Sequence, residues 1–411
     1  MTAPGTAAPT LAEREAAALL PVYRRRPVEF VRGRGTRLFD ADGREHLDFL
    51  SGLSVTSLGH AHPAVTAAVT AQIQRLVHVS NLFLTAPQVE LAERLAVTLG
   101  WPDGRSFFAN SGAEANEAAL KLTRRHGKRL HPAKVKVVAL QGGFHGRLLG
   151  TLLLTGDPAK HTPFQPLGSW VTHVPHDDPQ ALEDAVDDDT CAVWVEVLQA
   201  EGGVRPVPAA VLAAARDACD RHGALLVADE VQTGVGRLGA WYGWQTAGVT
   251  PDVVCLAKAL ANGLPIGAIV VRGVAAGAFG PGDHASTFGG GPVVAAAANA
   301  VLATIDTEDL VARAGEMGRR LTERLADLGA NNDLVAGTRG RGLLQALVLT
   351  APVAGEVAAA ALQWGLVIND VTPDAVRLAP ALIVDDDDVD AMAARLAGAL
   401  AQVEREGAGA S

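Results

Sequence analysis

The 411-residue sequence is short of cysteine, of basic excess and of long apolar runs, and each shortage removes a class of function. Only three cysteines occur, Cys191, Cys219 and Cys255, and no C-x-x-C pair is present. Neither a disulfide framework nor a cysteine-type zinc site is indicated, and a reducing, cytoplasmic setting fits. Lys and Arg number 35 against 45 Asp and Glu, a net charge of −10. Such a chain is a poor general binder of nucleic acid or of anionic membrane. The longest apolar stretches, such as 295–304, fall well short of the roughly 20 residues needed to span a bilayer. Residues 1–10 are rich in Ala, Pro and Thr and lack a basic segment followed by an apolar one, so they read as a frayed tail and not a signal peptide. No repeat with a period of about 20–50 residues is visible, which argues against a solenoid or propeller.

What is present is core material. Hydrophobic residues make up 48% and charged residues 19%, enough for a large buried core and for two to three domains. Helical patterns at 63–76, 87–99, 111–126 (ended by Gly127) and 209–222 alternate with short, nearly continuous apolar runs at 134–140, 191–197, 224–228, 253–256 and 266–271. Such runs fit parallel strands covered on both faces, and the alternation predicts an α/β fold with a mostly parallel sheet. Beyond Pro292 the pattern changes to two long helices (293–305 and 310–328), a strand at 343–349, a helix at 357–364, strands at 366–369 and 375–378, and a last helix from about Val384. This predicts a smaller α+β domain. Residues 28–49 have hairpin character, with Asp42-Gly43 as the turn, and are expected to join it. The expected division is 1–60 with the small domain, 61–291 as the large α/β domain, and 292–411 as the small domain.

Some patterns have plain readings. The acidic run 385–388 reads as the cap of the last helix and 187–189 as a solvated turn, not as metal ligands. His60-Ala61-His62 reads as a turn before the Pro63 helix, so no metal site is expected. Gly234-Val235-Gly236-Arg237-Leu238-Gly239 matches G-x-G-x-x-G, which keeps a nicotinamide-dependent oxidoreductase as a remote alternative. That fold needs the loop to open a helix directly, and Ala240-Trp241-Tyr242-Gly243-Trp244 does not read as one.

Asp229 and Lys258 end two of the apolar runs, where an open parallel sheet binds ligands. Taken alone, an acid and an amine there read as a structural ion pair. Other segments shift the weight. Asn110-Ser111-Gly112-Ala113 opens a helix, either as a phosphate cup or as an ordinary N-cap. Gly142-Gly143-Phe144-His145-Gly146-Arg147 offers an aromatic face and a cation beyond a strand, and Ser286-Thr287-Phe288-Gly289-Gly290 adds hydroxyls in a glycine-rich loop. Together these are the parts needed to hold pyridoxal phosphate: an amine for the Schiff base, an acid for the ring nitrogen, a stacking ring and a phosphate cup.

The segments NSGAEANEAALK (110–121), GGFHGR (142–147), E-x-x-Q-x-EGG (196–203), LLVADEVQTGVGR (225–237), PDVVCLAKAL (251–260), STFGG (286–290) and VRLAP (376–380) resemble the class III, fold-type I aminotransferases. The resemblance runs from about Pro27 to Ala401. It implies pyridoxal phosphate as cofactor, with Lys258 as the Schiff-base lysine and Asp229 as partner of the ring nitrogen. Gln232 is implied at the phenolic oxygen, Phe144 on the ring, and Ser111, Gly112 and Ala113 at the phosphate. His145 belongs to the same cofactor set, and Glu196 supports the ring-side network. Thr287 is implied at the phosphate of the neighbouring subunit, hence a homodimer with shared sites, and Ser286 near the substrate. Arg377 is implied for the α-carboxylate of glutamate and 2-oxoglutarate, Arg147 for the other carboxylate, and Glu201 as a gate pairing with Arg377.

The implied reaction moves the terminal amine of acetylornithine to 2-oxoglutarate. Ornithine, 4-aminobutyrate, lysine and succinyldiaminopimelate are the alternative donors. The chain departs from the family pattern at Val197 and Ala200 (Pro and Gly), Ala261-Asn262 (Gly-Gly), Gly291 (Asn) and 51–56.

Overall fold

The computed structural model describes residues 9–408. Of the expected N-terminal tail, residues 1–8 lie outside the described residues, and Thr10 caps the helix Leu11–Ala18 in a capping box with Glu13. Three strands follow, β1 (Phe30–Arg34), β2 (Arg37–Asp40) and β3 (Glu45–Asp48), joined as an antiparallel meander. Gly43, at φ +81°, supplies the left-handed residue of the predicted Asp42-Gly43 turn.

The central sheet takes β4 (Arg105–Ala109), β5 (Lys136–Leu140), β6 (Val171–Val174) and β7 (Thr190–Val195). After a small hairpin of β8 (Leu198–Gln199) and β9 (Arg205–Pro206), it adds β10 (Leu225–Asp229), β11 (Val253–Leu256) and β12 (Gly267–Val271). Its order is β4-β12-β11-β10-β7-β5-β6. The pairings are parallel except those of β12, which runs antiparallel to both β11 and β4. Every residue of β7, β10, β11 and β12 is buried, as expected for strands covered by helices on both faces.

The helix Gly112–Leu130 lies across β12, β11 and β7. It runs three residues past Gly127, where the sequence reading ended it. Gly127 is buried, and a Cβ there would meet Lys134 O and, at 2.7 Å, Cys191 Cβ. Its glycine serves close helix–sheet packing and not termination.

In the C-terminal third, the helix Pro292–Thr307 packs on the helices Pro63–Arg75 and Ala86–Leu99. The helix Leu310–Ala330 then covers a four-stranded antiparallel sheet. That sheet is ordered β13 (Val335–Arg341), β14 (Leu344–Leu349), β17 (Ala375–Leu378), β16 (Asn369–Thr372). The two-residue β15 (Leu366–Val367) pairs in parallel with β3, so the N-terminal meander and the C-terminal third share one sheet. The last helix, Asp386–Ala408, opens in the acidic run, and Asp385 Oδ1 accepts from Asp388 N at 2.9 Å. That is the cap the sequence suggested.

The G-x-G-x-x-G loop opens no helix. Gly236 (φ +87°) and Gly239 (φ +79°) let it turn against the C-terminal third, where a Cβ on Gly239 would sit 3.0 Å from Gly315 Cα. Buried Arg237 donates from this loop to Leu343 O at 3.2 Å and to Pro380 O. The motif therefore clamps two parts of the chain together, and the nucleotide-binding geometry is not formed. Among the described residues no helix is long and apolar enough to cross a membrane, and no cluster of His, Cys, Asp and Glu is arranged to hold a metal.

Candidate active site

The parallel strands β5, β7 and β10 end on one edge of the sheet, and a cavity of about 370 Å³ opens there. Each strand delivers its chemistry just past its last residue. β5 leads to Phe144, His145 and Arg147, β7 to Glu196 and β10 to Asp229, while β11, level with β10 at Cys255, leads to Lys258.

Asp229 sits at the centre of a buried polar cluster. Its Oδ2 accepts from Asn116 Nδ2 at 2.9 Å and lies 2.8 Å from His145 Nδ1, and its Oδ1 accepts from Val231 N at 3.1 Å. Asn116 is locked in turn, because Trp194 Nε1 donates to its Oδ1 at 2.8 Å. Burial lowers the basicity of the His145 ring, but the hydrogen bond and charge of Asp229, with Glu196, outweigh it and hold the pKa above the ordinary histidine range. Glu196 accepts from Phe144 N at 2.9 Å. Its burial pushes its pKa up to about 7, with Asp229 adding to the rise and His145 opposing it. Both carboxylates thus act on one imidazole, whose charge favours them in turn.

Lys258 does not pair with Asp229, so the structural ion pair considered from sequence is not formed. The lysine opens the short turn Lys258–Ala261 with φ +44°, a left-handed conformation unusual for a side-chain-bearing residue. Desolvation pushes its amine below the ordinary lysine range; Glu201, Asp229 and Glu196 pull the other way. An amine so placed is neutral more of the time, and so more nucleophilic, than a surface lysine.

The helix Gly112–Leu130 points its N-terminus into the same cavity. Ser111 caps it, accepting from Glu114 N at 3.1 Å, so the cap reading of Ser111 is correct. The first helical N–H groups, at Gly112 and Ala113, have no partner within the helix and suit an anion. A Cβ on Gly112 would fall 2.8 Å from Val231 Cγ1, so glycine lets the helix end pack closely on the turn that follows β10. Phe144 and Val231 give the cavity apolar faces. An anion cup, flat apolar walls, an acid and an amine in one cavity fit pyridoxal phosphate.

Beside the cavity stands a second group. Arg377, on β17 and almost fully buried, places Nη1 2.6 Å from Glu201 Oε1 and 3.1 Å from Gln232 Oε1. Its Nε donates to Asn369 Oδ1 at 3.1 Å across the β16–β17 pair. Gln232 Nε2 also donates to Glu201 Oε1 at 3.3 Å. Burial raises the Glu201 pKa, but Arg377 and Lys258 outweigh it, so the carboxyl is held below its usual range. Arg147 also lines the cavity, exposed, with its guanidinium carbon 5.6 Å from the Phe144 ring centre. It pairs with no acid among the described residues.

Neither Ser286 nor Thr287 lines this cavity, though Ser286 touches Asn110, which does. Ser286 Oγ accepts from Gly289 N at 3.0 Å and from Asn110 Nδ2 at 3.3 Å. Thr287 is exposed and lines a neighbouring cleft with His78, Ser80 and Asn81. Within one chain, then, Ser111, Gly112, Ala113, Phe144, His145, Arg147, Glu196, Asp229, Gln232 and Lys258 line one cavity, with Glu201 and Arg377 joined to it through Gln232. Sequence reasoning passed over Asn116, Trp194 and Asn369. Asn116 carried a signal, as a polar residue one turn into a helix whose buried positions include Ala115, Ala118, Ala119, Leu120 and Leu122.

Residues 21–400 match the family described as Aminotransferase class-III. The chain is 50% identical over 391 residues to the acetylornithine aminotransferase of Mycolicibacterium smegmatis, covering 95% of this chain and 98% of that protein. It is 50% identical over 393 residues to the acetylornithine aminotransferase of Streptomyces coelicolor, covering 95% and 96%. Among solved structures, the ornithine aminotransferase of Toxoplasma gondii ME49 superposes with a TM-score of 0.91 at 30% identity, over 96% of this chain and 94% of that one. An amine transaminase from an uncultivated Pseudomonas species, solved in its PLP-bound form, gives 0.86 at 30% identity, over 93% and 98%. With its expected α/β fold and smaller α+β part in place, the chain belongs to the class III aminotransferases.

Proposed function

We infer that this protein is a pyridoxal-phosphate-dependent aminotransferase. It moves the terminal amine of N2-acetyl-L-ornithine to 2-oxoglutarate, giving N-acetyl-L-glutamate 5-semialdehyde and L-glutamate. The near full-length identity to acetylornithine aminotransferases supports the donor. The observation that carries the chemistry is a single cavity holding Lys258, Asp229 and a helix N-terminus, with a pairable arginine, Arg377, beside it.

When bound, the cofactor supplies a carbonyl that exchanges amines and a ring that draws electrons from the amine-bearing carbon. The chain's own residues do the rest. Lys258 Nζ binds the cofactor and afterwards carries the proton to and from the substrate carbon. Asp229, fixed by Asn116, Val231 and His145, partners the ring nitrogen. Phe144 stacks on the ring, Gln232 contacts the phenolic oxygen, and the Ser111–Ala113 helix start takes the phosphate. Arg377 forks the α-carboxylate of 2-oxoglutarate or glutamate. Arg147 takes the other carboxylate, or that of acetylornithine. Glu201 closes on Arg377 when the donor brings no carboxylate to it.

The wider setting belongs to the same proposal: arginine biosynthesis in the cytoplasm, the division at 1–60, 61–291 and 292–411, Ser286 near the substrate, and a homodimer in which Thr287 reaches the phosphate of the partner's site. Exposed Leu82 (87%) and Leu84 (94%), with exposed Phe83 lining a cleft beside Thr287 and exposed Phe288 next to it in the chain, support such an interface. The test is product formation from acetylornithine and 2-oxoglutarate by wild type and Lys258→Ala. Turnover that survives Lys258→Ala overturns the mechanism.

A further inference from the structure

The backbone beside the cavity mouth is unusual. Ser51, Gly52, Leu53 and Ser54 are four consecutive residues with φ between +50° and +70°. Three of them carry a Cβ, so this left-handed turn is intrinsically unfavourable and persists only where its surroundings hold it. On its N-terminal side the anchor is Asp48. Its Oδ1 accepts from Leu50 N at 2.9 Å and Ser51 N at 2.8 Å, and its Oδ2 lies 2.7 Å from His60 Nε2. On the C-terminal side the anchor is Asn262. Its Oδ1 accepts from Leu58 N at 2.8 Å, and its Nδ2 donates to Gly59 O at 2.9 Å. Ser57 Oγ adds a bond to Ala259 O at 3.0 Å.

Asn262 is also the left-handed residue (φ +50°) that closes the turn opened by Lys258. One side-chain amide therefore ties the entrance segment to the turn carrying the reactive lysine. Val55, between the left-handed turn and the latch, lines the cavity with Lys258.

We propose that Asn262 is a specificity-determining positioning residue: it latches residues 57–59 to the Lys258 turn and so fixes the wall against which the far end of the amine donor rests. The proposal rests on the acetylornithine reading above. Glycine accepts φ +50° without strain, so Asn262→Gly preserves the backbone and removes only the latch.

The test compares wild type, Asn262→Gly and Asn262→Asp as holoenzymes in separate half-reactions with acetylornithine, ornithine and 2-oxoglutarate. Asn262→Gly is expected to lower the preference for acetylornithine over ornithine by about tenfold, through the KM for acetylornithine, while the 2-oxoglutarate half-reaction stays within about twofold. Asn262→Asp keeps the acceptor for Leu58 N, loses the donor, and falls between. Hydrogen exchange on the cofactor-free protein gives a second readout: in Asn262→Gly the Leu58 amide and residues 51–57 exchange faster. An unchanged preference with unchanged exchange overturns the proposal, as does an equal loss towards all three substrates. A wild-type enzyme that prefers another donor overturns the donor reading alone, and the exchange measurement then decides the latch.

Discussion

Glu201 Oε1 lies 2.6 Å from Arg377 Nη1, and the amide of Gln232 touches both. The pair is closed, with the acid held ionised by the arginine it faces. Opening it must uncover a cation for an incoming carboxylate; keeping it closed hides that cation from a donor whose near end is uncharged. Glu201→Gln keeps the shape and removes the charge. We expect 2-oxoglutarate to bind more tightly and the acetylornithine half-reaction to slow by about tenfold, the loss of one charge-assisted contact. Stopped-flow half-reactions measure both, and equal effects on the two substrates would argue against a gate.

Arg377→Ala removes the fork itself. The kcat/KM for 2-oxoglutarate should fall by at least about thirtyfold, equivalent to about 2 kcal/mol. Acetylornithine should lose less, since its carboxylate is assigned to Arg147. A variant that used 2-oxoglutarate normally would remove Arg377 from substrate binding.

The pKa of Glu196, pushed up to about 7, carries a pH signature. Between the unfolded glutamate value, about 4.5, and about 7 the folded state binds more protons than the unfolded one, so this group's contribution to stability falls as pH rises through that window. Glu196→Gln never ionises. Its melting temperature should gain on wild type as pH rises from 5 towards about 7 and then level off. A difference that does not change with pH would mean Glu196 titrates normally.

Gly127→Ala tests the packing reading of that glycine. A methyl group there meets Lys134 O and Cys191 Cβ across a helix–sheet contact that cannot open without moving the strand. The expected cost is about 1–3 kcal/mol, read from denaturant unfolding. A neutral effect would mean that the contact relaxes at no cost and would remove the packing reading.

Much of this arrangement was legible in the amino-acid order. The buried runs at β7, β10 and β11 are apolar throughout because helices cover both faces, and that pattern survives in sequence. Asp229 and Lys258 stood out because each interrupts such a run at its carboxyl end. β4, with its exposed Arg105 and part-buried middle, lacked that signal and went unread. So did the antiparallel direction of β12, since apolar runs carry no polarity. Arg237 and Asn262 were beyond reach for another reason: their partners, Leu343 and Pro380 in one case and Leu58 and Gly59 in the other, are more than a hundred residues away in the chain.

The most direct test of the donor assignment follows the cofactor's absorbance in single half-reactions of the purified, cofactor-loaded enzyme with acetylornithine, ornithine, 4-aminobutyrate, lysine and succinyldiaminopimelate. Acetylornithine should convert the enzyme fastest, well ahead of the other four. A faster reaction with any other donor would leave the aminotransferase chemistry in place and contradict the substrate assigned to it.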